Sequence, residues 1–186
     1  MLSLGLGGNC RLHVHENNEV FIKDLDTKKC TFFTPPRWKL FVGLIANTEE
    51  QVQLSLVGIT TNYIQHIGGT WHVTVDSKFP TVDIRRWYED SRAGSSLKPT
   101  RVGIALTYSN WAKLKKAIVE VENEILVMRA VSPCWHDGQI DEMFCDECSP
   151  YRKLECVADI RAAESAEKLT IDTDSGDGDV DFMRCR

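Results

Sequence analysis

A near-repeat inside the chain restricts its fold more than any other feature. FFTPPRWKLFVGLI, Phe32 to Ile45, aligns without a gap on ALTYSNWAKLKKAI, Ala105 to Ile118. Each stretch places a Thr (Thr34, Thr107) four residues before a Trp (Trp38, Trp111). The threonines read as helix N-caps, whose hydroxyl can accept a bond from a first-turn N–H; Pro35 then takes the first helical position, where its missing N–H costs nothing. Trp38, Phe41 and Ile45 recur at the spacing of Trp111, Leu114 and Ile118, so both stretches are amphipathic helices with one buried stripe.

Upstream the likeness continues with gaps. LHVH at Leu12 to His15 resembles WHVT at Trp71 to Thr74, VFIK at Val20 to Lys23 resembles VDIR at Val82 to Arg85, and KKCTFF falls where RVGIAL falls. Period-two alternation in these runs predicts strands with one covered face. The fold class is therefore α+β, two strand–strand–strand–helix units, spanning 9–55 and 56–130. The second unit gains a further strand from VQLSLVG or NYIQHIG and a longer loop after VDIR. A unit of about 60 residues is marginal alone, so the two are expected to pack on each other as a pseudo-symmetric pair, helices inside and sheet faces outside.

Composition narrows the class. No apolar run approaches the ~18 residues of a membrane helix, and MLSLGLGGNC lacks the basic and apolar regions of a secretory signal. Seven cysteines, an odd number at irregular spacing, argue against a disulfide framework and for thiols that stay free or bind metal in the nucleus or cytosol. The net charge of −5 hides an asymmetry. Residues 1–130 carry 16 Lys+Arg against 13 Asp+Glu, whereas residues 131–186 carry 6 against 14. A mildly basic body thus adjoins an acidic segment.

IGGTWHVTV, then VDIRRWYED, then LKPTRVGIALTYSNWAKLKKAI resembles the C-terminal domain of the transcriptional positive-cofactor-four family, closely over 66–125 and loosely over 11–45. The resemblance implies a pair of curved four-stranded sheets backed by helices, binding single-stranded DNA across the sheets, with both halves fused in one chain. By position, Arg85 falls on the family's DIR arginine, Lys98 and Arg101 on its K-P-x-R bases, Tyr88 on its DNA-stacking Trp and Phe79 near its loop aromatic. This chain reads Trp87 then Tyr88 where the family reads Tyr then Trp, which leaves open which ring faces the strand.

The chemistry of the residues agrees. Binding an unpaired strand needs cations along the phosphates and flat side chains for the bases. Between His66 and Ile118 there are 9 Lys+Arg against 4 Asp+Glu, interleaved with aromatics. Lys78, Phe79, Arg85, Arg86, Trp87, Tyr88, Lys98 and Arg101 are the candidate contacts. Lys23, Lys28 and Lys29 would guide phosphate in a first unit that lacks an aromatic pair. Against this, Arg85 can pair with Asp83 or Glu89, Trp71 divides between core and surface, and Trp38 and Trp111 belong to the core. His13, His15, His66 and His72 read as packing or solvent-facing strand residues.

Between Val131 and Cys156, Cys134, His136, Cys145 and Cys148 offer four soft ligands. C-x-x-C can hand two thiolates to one ion, while the upstream C-x-H is less usual and Cys156 competes; one structural zinc and no metal both stay open. Residues 157–186 read as a short helix and an acidic, solvated tail. No phosphate loop, nucleophile elbow or zinc-protease signature is present, so neither an enzyme nor a small-molecule substrate is expected. The expected partner is single-stranded DNA, with RNA open and transcription proteins implied by resemblance. The alternative is a protein-interaction module that keeps the fold without the nucleic-acid face.

Overall fold

The computed structural model describes residues 2–90, 96–133 and Cys145. Strands β1 (Leu2–Gly7), β2 (Cys10–Val14), β3 (Val20–Asp24) and β4 (Cys30–Phe33) form one antiparallel sheet in chain order. Helices α1 (Pro35–Gly43) and α2 (Ile45–Leu56) follow. A second sheet of the same order holds β5 (Asn62–His66), β6 (Trp71–Asp76), β7 (Thr81–Asp90) and β8 (Ser96–Thr107), followed by α3 (Tyr108–Glu124) and α4 (Leu126–Ala130). Two sheets of identical order with trailing helices are an α+β fold consistent with two repeated units.

Each sheet has four strands where the repeat gives three per unit. In the second, NYIQHIG supplies the extra strand, while VQLSLVG is helical. In the first, β1 begins at Leu2, ahead of residue 9. Its Leu2, Leu4 and Leu6 alternate as a strand should, but three glycines between Gly5 and Gly8 weaken the signal. The caps differ too. Thr107 Oγ1 accepts from the Asn110 N–H at 3.2 Å, whereas the Thr34 side chain makes no cap bond and Pro35 opens α1.

One core serves both sheets. Leu6, Leu12, Val14, Ile22 and Phe33 from the first, and Val73, Val75, Ile84, Ile104 and Leu106 from the second, meet Trp38, Phe41, Trp111 and Leu114 from the helices. Phe41 packs edge-on to Trp111 with ring centroids 6.2 Å apart. The helices cross over: α3 packs mainly on β1, and α2 packs on β6. Glu49 of α2 ties the halves together, accepting from Trp111 Nε1 at 2.7 Å and pairing with Lys115 at 2.7 Å. Lys39 and Glu122 add a second bridge at 2.7 Å. β4 and β8 also adjoin, so the two sheets meet along these strands.

Cys10 is free and buried, but Cys30 is disulfide-bonded, against the expectation of free or metal-bound thiols. An odd count disfavours a full framework without forbidding a single bridge. Of the expected zinc ligands, Cys134, His136 and Cys148 lie outside the described residues, as do the helix and tail expected over 157–186. Among the described residues no three His, Cys, Asp or Glu gather as a metal group, and no helix is long and apolar enough to cross a membrane.

Candidate nucleic-acid interface

Strand alternation builds an outward face on the second sheet. Along β6, Trp71, Val73 and Val75 are buried while His72, Thr74 and Asp76 point away from the core; along β7, Val82 and Ile84 are buried and Asp83 and Arg85 point outward. Register then makes rows: His66 lies opposite His72, His72 opposite Arg85, and Arg85 opposite Gly103. Gly103 has φ +149°, and a Cβ there would stand 2.5 Å from Arg85 Cα and from the Ile84 carbonyl oxygen. Only glycine lets β8 approach Arg85 this closely.

Beyond Arg85 the β7–β8 ladder slips. Trp87 faces Pro99, so residues 100–102 of β8 bulge against Arg86. Thr100 holds the bulge, its Oγ1 donating to the Arg86 carbonyl at 2.9 Å and accepting from the Val102 N–H at 3.1 Å. The Trp87 N–H donates to the Thr70 carbonyl at 2.7 Å, and the Trp87 ring lies 5.9 Å from that of His72. This settles which ring shares the outer face: it is Trp87, half-buried beside His72. Tyr88 is the next residue, opposite Lys98 on the projecting β7–β8 ribbon.

His66 and His72 have ring centroids 5.1 Å apart, and His66 Nε2–H donates to the Gly69 carbonyl at 2.7 Å. Burial, reinforced by the neighbouring His66 and opposed by the Thr70 carbonyl, lowers the His72 pKa to about 4. It is neutral at physiological pH. Arg85 is strongly engaged: its Nε and Nη2 donate to the Asp83 carboxylate, the latter at 2.8 Å, and Nη1 donates to the Thr100 carbonyl at 3.2 Å. Arg86 Nε donates to Thr70 Oγ1 at 3.1 Å.

The remaining candidates are strung out, not gathered. Lys78 and Phe79 are exposed in the β6–β7 turn, Phe79 by 62%, and lie at the opposite end of β7 from Trp87. Lys98 is half-buried and Arg101 exposed in the bulge. Trp71 is buried and joins the core, meeting Phe32 edge-on at 5.9 Å. In the first sheet Lys23 sits on β3 opposite Arg11, and Lys28 and Lys29 are exposed in the β3–β4 turn. Reasoning from sequence missed Arg11 and the His66–His72–Trp87 row; period-two alternation marks their face, but only register brings them together.

Among the described residues these features make one sheet face edged by a basic, aromatic ribbon. Residues 68–117, which include β6, β7 and β8 and part of α3, match the model of the family described as Transcriptional Coactivator p15 (PC4). The chain is also similar to a Caenorhabditis elegans protein titled "Putative RNA polymerase II transcriptional coactivator", with 37% identity over 82 residues. That match takes in 42% of this chain and 64% of the relative's length. No solved structure matches significantly.

Proposed function

We propose that this chain is a transcriptional coactivator of the nucleus that binds single-stranded DNA, with its two sheet–helix units acting as an intramolecular pair. The strand runs along the second sheet: Lys78 and Phe79 meet it at one end, and Trp87, Tyr88, Lys98 and Arg101 at the other. The carrying observation is that Trp87 shares the outer face with Arg85 and His72, beside a ribbon that presents Tyr88 next to Lys98. Rings and cations on one face suit unstacked bases and their phosphates.

Fluorescence anisotropy with labelled oligonucleotides tests this. Single strands should bind better than duplex, and log K should fall with log salt at about −0.7 per phosphate neutralised. A folded protein that binds no strand at low salt sinks the reading. One observation favours a protein-interaction module instead: Asp83 occupies the Arg85 guanidinium that a phosphate would use. The same titration decides, because a module that has lost its nucleic-acid face gives no anisotropy change. Zinc at Cys134, His136, Cys145 and Cys148 remains part of the proposal, and elemental analysis of purified protein should find about one ion per chain.

A further inference from the structure

The two sheets end differently at their outer strands. β1 closes the first sheet and β5 the second. β1 carries a register shift between Gly5 and Gly7 and packs against α3; such an irregularity turns an edge away from further pairing. β5 has no comparable protection. It runs in unbroken register with β6 from Asn62 to His66 and holds neither Lys nor Pro. No Asp, Glu, Lys or Arg occurs anywhere from Gln51 to Val75, in a chain that is 26% charged. The end of α2 and the turn after it expose Leu56, Val57 and Ile59, and β5 itself exposes Ile64.

The hydrogen-bond phase of this edge is fixed. The Ile67 N–H donates to the Trp71 carbonyl at 2.9 Å, and the Ser77 N–H to the Thr61 carbonyl at 3.2 Å. Bonded pairs alternate along an antiparallel ladder, so the odd-numbered residues of β5 bond to β6. Asn62 and Ile64 therefore aim their N–H and C=O groups away from β6, in the plane of the sheet.

We infer that β5 pairs antiparallel with β5 of a second copy of this chain, about a twofold axis through Ile64. Ile64 is the middle residue of the strand and turns its backbone to the edge. A twofold pairing thus sets it opposite itself in a hydrogen-bonded pair, and the same residues serve on both sides. That register places Asn62 of each copy opposite His66 of the other. The charge pattern selects a like partner: an edge without charge is its own electrostatic complement, whereas a basic or acidic strand finds no counter-charge there. The two Ile64 side chains meet on one face and add an apolar cross-strand pair. Pairing joins the four-stranded second sheets of two chains into one continuous sheet. The inference is independent of the nucleic-acid reading, because β5 holds none of the candidate strand contacts.

Sedimentation equilibrium of the full chain, without nucleic acid, is the test. The mass should rise with concentration from that of one chain to that of two. Ile64→Lys and Ile64→Glu each place like charges on the axis and should weaken association about tenfold or more. Because Ile64 is exposed, both variants should keep the wild-type circular dichroism. An equimolar mixture of the two should recover the dimer, since opposite charges then face each other. Asn62→Lys should also weaken association, whereas Ser3→Lys on β1 should leave it unchanged. Wild-type protein with the mass of one chain at every concentration overturns the inference, as does a dimer that the Ile64 variants leave intact. A mixture that stays monomeric overturns it too, because Ile64 then does not face itself. Equal loss of the dimer in Ser3→Lys would move the contact to the other edge and overturn it likewise.

Discussion

Trp87 and Tyr88 are adjacent residues with unequal positions. Trp87 lies on the outer face against His72, and its Nε1–H is buried without a partner; Tyr88 stands on the ribbon opposite Lys98. If bases stack on the outer face, Trp87→Ala should cost about 1–3 kcal/mol of single-strand affinity, and Tyr88→Ala less. Anisotropy titrations of the two variants compare them, and equal losses would mean the ribbon contributes as much as the sheet. Asp83 argues in the other direction. It holds the Arg85 guanidinium and adds a negative charge to the face, so Asp83→Asn should tighten binding about two- to fivefold at low salt, in keeping with ~0.5–1 kcal/mol for a partly exposed charge pair. Unchanged affinity in that variant would place the phosphate path away from Arg85.

At the scale of elements, β8 is decisive. Its bulge at residues 100–102 changes the register between Arg85 and Trp87, and Gly103 brings its backbone against Arg85. Gly103→Ala should destabilise the fold by about 1–3 kcal/mol or more, since a Cβ meets backbone atoms that cannot swing away. Urea unfolding measures this. The wild-type midpoint in the variant would show that β8 can retreat. The alternation in VDIR and WHVTV made the strands of the second sheet legible from sequence, and the repeated helices were equally plain. The β1 strand was not, because its glycines dilute the pattern. The bulge left no sequence signal separate from the K-P-x-R-x-G spacing.

In the whole molecule, the two halves hold each other through α2 and α3. Glu49 is the joint. Burial alone would raise its carboxyl pKa, but hydrogen bonds from Lys115, Trp111 and Gln53 and the Lys115 charge outweigh this, leaving it below the ordinary value. A depressed carboxylate stabilises the fold above its unfolded value of about 4.3 and loses that contribution as pH falls through the folded value. Glu49→Gln should therefore be less stable than wild type at neutral pH, with the gap closing below about pH 4. Urea midpoints of both proteins across this range provide the measurement, and a constant gap would show that the charge of Glu49 is not what joins the halves.

Sequence by itself determined the α+β class, the repeated helices with Trp38 and Trp111 in the core, the outward alternation of the strands and the basic, aromatic character of the second unit. Each of these follows from local periodicity or capping, which a short window contains. Only the tertiary structure decided that α3 covers the first sheet, that Trp87 shares the outer face with His72, that Asp83 holds Arg85, and that Arg11 stands opposite Lys23. Period two tells which face a side chain takes but not what lies across from it. Turns, bulges and the packing of one sheet against another's helix set that register.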